Sequence, residues 1–312
     1  MKKNTNSFIA IKKISVAFLV SLLLINGNAG LKAEIPKYVV GPRSCGFFSE
    51  FFAALHHAAW YDDTKQEVPV IYWDNQCPYY EPGGFNNTFN AWEYYFEPLI
   101  ANTRYEPGDA IHRNYEAPHE YGFYIRTEDQ ACVEKLRPKM HEIIKKYIKI
   151  KPYILQIVEE FYNKNMLNNT IISVHMRGTD KYGDLIKPVH PRHVIRTAQA
   201  YANMAKLQHP NKQIKFLVAS DEQRLIDFAK AKLNGTVIVY GAATRSKDGK
   251  PIHHDRKKTC GQSAKLGCDV LVEALLLAHG NYFVHTQSNV SVAVLFFNPT
   301  IIHYQHDGYA KF

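Results

Sequence analysis

Apolar and polar positions in the second half of the chain alternate in blocks that predict strand after helix after strand. Thr170-Ile171-Ile172-Ser173-Val174-His175 is a β-branched run of the length of a buried strand. His190-Pro191 then opens a segment whose Val194, Ala198, Tyr201 and Ala205 fall on one helical face. Ile214 to Ala219 reads as a second strand, and Asp221 stands where it would cap a helix carrying Leu225, Ile226, Phe228 and Ala229. Thr236 to Tyr240 is a third strand. A polar loop from Gly241 to Gly261 leads to a helix over Asp269–Ala278. A strand at Tyr282–Val284, a helix from Asn289 to Phe297 and a last strand at Ile301–Tyr304 complete the series. This alternation predicts an α/β fold with a parallel sheet covered on both faces, and ligands on such sheets bind at the carboxyl ends of the strands.

The first half is less regular. Tyr38–Val40 and Val68–Trp73 read as strands around a helix from Ser49 to Trp60. An aromatic stretch, PYYEPGGFNNTFNAWEYYFEPL, precedes a basic helical region from Arg137 to Asn163, which Pro152 should kink or divide. No repeat or low-complexity linker marks a boundary, and the expected division is 30–165 and 166–312.

Ahead of these, Lys2, Lys3, Lys12 and Lys13 precede an apolar run from Ile14 to Ile25 and the small residues Gly27-Asn28-Ala29. The run is too short to span a bilayer comfortably, so residues 1–29 are expected to be a cleavable signal peptide. An uncleaved signal-anchor through 14–25 is the alternative. The chain is accordingly expected in the secretory pathway or exported, and at a membrane only if that segment stays.

Composition narrows the class. In 312 residues, 46% are hydrophobic and 21% charged, which suits a globular protein with a sizeable core. The net charge of +9 includes those four lysines and is otherwise dispersed. Without a basic block or helix, nucleic acid is not an expected partner. Cys45, Cys77, Cys132, Cys260 and Cys268 contain no CxxC spacing, so a structural zinc site is not expected. Export would permit disulfides, with pairing open and an odd thiol over. Asn86, Asn168, Asn234 and Asn289 begin N-x-S/T sequons, which arise cheaply in this composition.

The most informative segment is His175-Met176-Arg177-Gly178-Thr179-Asp180-Lys181, where a strand runs out into a loop. An arginine there suits a pyrophosphate, because its fork donates paired hydrogen bonds and stays charged. Gly178 would let backbone approach a ligand. The plainer reading pairs Arg177 with Asp180 on the surface. Ser288-Asn289 follows a strand and starts a helix, a ready phosphate site as well as an ordinary cap.

Taken in order, HMRGTDK, FLVASDE and VEALLLAHGNYFVHTQSNVSV resemble the three peptide motifs of the GDP-fucose-dependent fucosyltransferases. That superfamily includes nodulation, core α1,6- and protein O-fucosyltransferases. CGFFSEFFAALHHAAW, VPVIYWDNQCPYY and NAWEYYFEP are similar to the nodulation type, so the resemblance spans most of residues 38–304. It implies a GT-B-like fold of two Rossmann-like domains facing across a cleft. The second domain would hold the GDP-sugar and the first the acceptor, a glycan or glycoprotein hydroxyl. It implies inverting, metal-independent transfer with no cofactor beyond the donor substrate. His175, Arg177, Gly178, Asp221, Glu273, Ser288 and Asn289 are the donor-site residues it implies. Arg177 matches the arginine that grips pyrophosphate, and Glu273 an acid that contacts the guanine nucleoside. Gly178 stands where the core enzyme has a second arginine. Asp184 is the implied catalytic base, with Asp180 behind it. A non-catalytic glycan- or nucleotide-sugar-binding protein on the same scaffold is the rival from another class, and another GDP-sugar would need few changes.

Remaining candidates carry blander expectations. His56-His57 lie inside a helix, where core or surface filling suffices, and His253-His254-Asp255 lack a matched metal partner. Gly83-Gly84 is a turn signal. Tyr79, Tyr80, Trp92, Tyr94 and Tyr95 suit either sugar stacking or core packing. No Asp-x-Asp occurs, against a metal-dependent GT-A transferase.

Overall fold

The computed structural model describes residues 37–113, 129–179, 188–250, 252 and 261–310. In chain order the elements are β1 (Lys37–Val40), α1 (Phe47–Thr64), β2 (Val68–Ile71), β3 (Ile111–His112), α2 (Gln130–Tyr147) and α3 (Pro152–Asn165). β4 (Thr170–Met176), β5 (Pro188–Val189), α4 (Pro191–Gln208), β6 (Ile214–Ser220), α5 (Gln223–Lys232) and β7 (Thr236–Ile238) follow. α6 (Gln262–Ala278), β8 (Tyr282–Thr286), α7 (Asn289–Phe297), β9 (Ile302–His306) and β10 (Tyr309–Ala310) complete the series.

Two parallel sheets organise these elements. The smaller has the order β2-β1-β3 and the larger β7-β6-β4-β8-β9, while β10 pairs with β5. In the larger sheet the chain moves outward from β4 through β6 to β7, then returns to lay β8 and β9 on the other side. The order therefore reverses between β4 and β8, which opens a crevice at their carboxyl ends. All pairings in this sheet are parallel, and His175 lies beside both Ala219 and His285.

Strand alternation explains the two cores. Ile172, Val174 and Met176 face α4 and α5, in a cluster with Val194, Phe216 and Leu225. Ile171, with Leu217, Ala219 and Phe283, faces α6 and α7 and joins a larger cluster that runs on into the aromatic first half. His175 is on that second face, so its ring sits at the end of β4 towards the first half of the chain.

Several expected boundaries shift. Pro152 divides the basic helical region, as expected, and occupies the first turn of α3, where its missing N–H costs nothing. Yet α2 starts at Gln130 and holds Pro138 inside it. α6 starts at Gln262, seven residues before the expected Asp269, because its first turn is capped from outside, as described below. The strand expected to reach Trp73 stops at Ile71, since Trp73 N–H turns to the Asn90 side chain, 2.9 Å away. The short strands β3, β5 and β10 have no local apolar signature and were not expected.

Candidate functional site

A cavity of about 240 Å³ occupies the crevice at the carboxyl ends of β4, β6 and β8. His175, Arg177, Asp221, Glu273, Ser288 and Asn289 all stand on its walls. Cys45, Gly46, Phe47 and Ser49 close it from the first half, so the amino ends of α1 and α7 both face it. Such ends favour anions, because their first amides lack partners within the helix.

The loop after β4 is clipped on every side. Arg177 N–H donates to Thr286 Oγ1 at 2.8 Å, and Arg177 C=O accepts from Ala310 N–H at 2.7 Å. Asp221 does more. Its carboxylate accepts from Gly178 N–H (2.8 Å), Thr179 N–H (3.1 Å) and Thr179 Oγ1 (2.6 Å), and lies 3.1 Å from Arg177 Nη1. Burial alone would raise this carboxyl, but Arg177 and the Thr179 and Gly178 donors outweigh it and hold Asp221 below the usual carboxylate range. Asp221 is therefore not the expected helix cap. Glu222 takes the cap position of α5 without a side-chain bond, and Asp221 reaches back across the sheet instead.

Gly178 stands beside these residues but packs elsewhere. It does not stand on the cavity wall. A Cβ there would lie 2.7 Å from Glu222 Cδ, so the buried Glu222 side chain fills the space a larger residue would need. Packing against Glu222 thus gives the glycine a reason of its own.

Ser288 is the N-cap of α7, its Oγ accepting from Ser291 N–H at 3.0 Å. Ser291 Oγ donates to Thr286 C=O (3.0 Å) and lies 3.0 Å from His175 Nδ1. Ser288 Oγ lies 3.4 Å from the same Nδ1, so two hydroxyls hold the ring edge in place. Burial, with Arg177 nearby, keeps His175 below its ordinary pKa against the pull of Asp221, so the ring is neutral at physiological pH.

On the opposite wall Glu273 is paired with Arg245, whose guanidinium also donates to the carbonyls of Ala243 (2.9 Å) and Tyr240 (3.1 Å). Burial, helped by Asp269 and Asp221 and opposed by Arg245, pushes Glu273 up to about 8. Asp269 accepts from Thr244 N–H (2.9 Å) and Thr244 Oγ1 (3.1 Å) and pairs with Lys265 at 2.5 Å. Sequence reasoning missed Thr244 and Arg245, which sit in the polar loop, and it read Asp269 as a helix start.

The wall from the first half was missed too. Glu50 is buried and accepts from Arg43 N–H (3.0 Å) and Cys45 N–H (2.7 Å), which folds the loop ahead of α1 against the cavity. Tyr79 Oη accepts from Phe47 N–H at 2.7 Å. Tyr79, Trp92, Tyr94 and Tyr95 are buried, the last three as core and Tyr79 also on the cavity wall, while Tyr80 is half-buried. Tyr95 Oη donates to Ala264 C=O at 3.0 Å. Glu81, from the same stretch, accepts from Gly261 N–H and Ala264 N–H, both at 2.8 Å. Gly261 adopts φ +83° and has no side chain to cap α6, so a carboxylate from the first half supplies the cap.

His56 and His57 are core residues of α1, with His57 Nδ1 2.7 Å from Tyr38 Oη. Asp180, Asp184, His253, His254, Asp255, Cys260 and the segment 1–29 lie outside the described residues. Among the described residues, no helix is long and apolar enough to cross a membrane, and no three metal-ligating side chains gather.

No protein-family model and no curated protein matches the chain. Solved structures do. The NodZ α1,6-fucosyltransferase co-crystallised with GDP superposes with a TM-score of 0.52 over 87% of this chain and 95% of its own, at 15% identity. The chain has the fold of NodZ. A second structure of NodZ, from Bradyrhizobium, gives a TM-score of 0.49 at 15% identity, covering 86% of this chain and 93% of its own. POFUT1 in complex with GDP-fucose gives 0.46 at 10% identity, covering 87% and 98%. The expected GT-B-like α/β class is thus the one observed.

Proposed function

We propose that this chain is an inverting glycosyltransferase that moves L-fucose from GDP-fucose to a hydroxyl of a glycan or glycoprotein. The observation that carries the reading is the cavity at the β4–β8 crossover, where Arg177 faces the amino end of α7 at Ser288 and Asn289. That pairing of a fixed cation with helix amides suits a diphosphate. NodZ, whose fold this is, was crystallised with GDP.

In this reading the diphosphate of the donor lies between Arg177 and the α7 amides, and the nucleoside runs towards Glu273. As the bond from the anomeric carbon to the diphosphate breaks, negative charge grows on the leaving GDP. Arg177 and the helix end stabilise that charge more in the transition state than in the bound donor. The acceptor hydroxyl attacks from the opposite face and gives its proton to a carboxylate within about 3 Å, the role proposed for Asp184. Neutral His175 adds no charge beside the diphosphate. No metal is required in this scheme.

A second reading is favoured by the Arg177–Asp221 pair and by Glu222 occupying the room beside Gly178. A site whose cation is already partly neutralised would bind a GDP-sugar without turning it over. Incubation of the full chain with labelled GDP-fucose, with and without EDTA, separates the two. The transferase reading expects EDTA-insensitive release of GDP that falls about 100-fold or more in Arg177→Ala, as for loss of one charge-stabilising donor. GDP binding without sugar release across a broad acceptor panel would establish the binding protein. Absence of both binding and turnover would sink the donor site.

A further inference from the structure

A second concave face lies on the outer side of α4 and α5, away from the cavity above, with which it shares no lining residue. His190, Arg192, Arg196 and Gln199 of the α4 segment and Phe228 and Lys232 of α5 line a cavity of about 450 Å³. We propose that it binds an anionic saccharide unit, one sugar ring carrying a sulfate, phosphate or carboxylate.

The two arginines are placed at electrostatic cost, while Lys232 sits where a helix end favours a cation. Arg192 sits in the first turn of α4, where the helix end is already positive, and that turn contains no acid. Arg196 follows one turn later on the same exposed face, a like-charge pair at helical spacing. Lys232 faces them from the last turn of α5. No Asp or Glu lines the cavity, and Arg192, Arg196 and Lys232 form no ion pair among the described residues. An oxyanion seated among them would relieve the repulsion between the arginines and would meet Lys232 from across the hollow. The chemistry beside them suits a sugar. Phe228 is half-buried, its ring edge-on to His190 with centroids 6.3 Å apart, and together the two rings give the hollow an apolar wall for a pyranose, with the Gln199 amide at the rim. One aromatic in a hollow of this size does not make the interleaved stacking track of a nucleic-acid groove.

The test is titration of the full chain at low and physiological salt with a sulfated disaccharide, its unsulfated parent, inorganic sulfate, a short DNA duplex and phosphatidylserine vesicles. The sulfated disaccharide is expected to bind at least about tenfold more tightly than its parent, with salt weakening it. Arg196→Glu combined with Lys232→Glu, both exposed, should lower that affinity at least about tenfold without moving the unfolding temperature. Phe228→Leu should weaken the disaccharide and leave inorganic sulfate unchanged. Absence of binding at low salt, or binding that survives the charge reversal, would overturn the site. Equal affinity for bare sulfate would reduce it to an ion site. Tighter binding of DNA or vesicles that the same reversal abolishes would overturn the saccharide as its ligand.

Discussion

Asp221 and Glu222 are adjacent, yet one is a hydrogen-bond hub and the other a space filler, and the difference makes distinct predictions. Asp221→Asn keeps the shape but removes the charge that holds Arg177 and replaces an acceptor oxygen with a donor. Since a group bonded to a charge contributes about 1.5–3 kcal/mol, the unfolding free energy should fall by about that much. Differential scanning calorimetry of the variant checks it. Gly178→Ala forces a Cβ against Glu222 and should cost about 1–3 kcal/mol as overpacking. Adding Glu222→Ala to it should recover part of the loss, because the colliding atoms are gone. Independent costs that simply add would refute the contact as the cause.

At the scale of elements, α6 is held by a side chain from elsewhere. Glu81 takes the place a local N-cap would have, and its removal leaves buried amides of Gly261 and Ala264 without their acceptor. Glu81→Ala should destabilise by about 2–4 kcal/mol, and Glu81→Gln by less, because one carbonyl oxygen survives. Urea unfolding of the two variants reads the difference. The same pair shows where sequence reading stops. The β4 loop and the start of α7 were legible because strand, turn and helix-start residues are neighbours in the chain, and their chemistry is set locally. Glu81 lies 180 residues from Gly261, and Arg245 lies 28 from Glu273. Neither carries a periodic or motif signal, since each is defined only by a partner that folding brings to it. The aromatic stretch was ambiguous for a related reason: Tyr and Trp serve a core and a sugar platform with the same ring, and burial alone distinguishes them.

For the whole molecule, histidine burial sets the response to acid. His175, His279, His285, His303 and His306 are all held below the ordinary imidazole pKa, each chiefly because burial disfavours the charged ring. The unfolded chain therefore takes protons first as the pH falls below about 6.5, and the folded state loses ground from there down. One histidine that stays neutral across a full pH unit costs about 1.4 kcal/mol, so the five together outweigh the opposite contribution of a raised carboxyl such as Glu273, and Tm should fall between pH 7 and 5. Glu273 and Glu50, whose carboxyls burial raises, act in the opposite sense and offset part of this loss, while Asp221 and Glu134, held low, act only under more acid conditions. A Tm that rises over that interval would contradict the dominance of the buried histidines.

The bond from Ala310 to the Arg177 carbonyl has a practical side. β10 is a two-residue strand, easily discarded as a tail when expression boundaries are chosen. Trimming after His306 would unlatch the loop that carries the arginine, remove the Gly308 carbonyl that holds Gln287 N–H and take buried Ala310 out of the core, while all five strands of the larger sheet stay in the chain. Boundaries should keep Tyr309 and Ala310, because the silence of a shorter chain would reflect the missing latch and not the chemistry of the cavity.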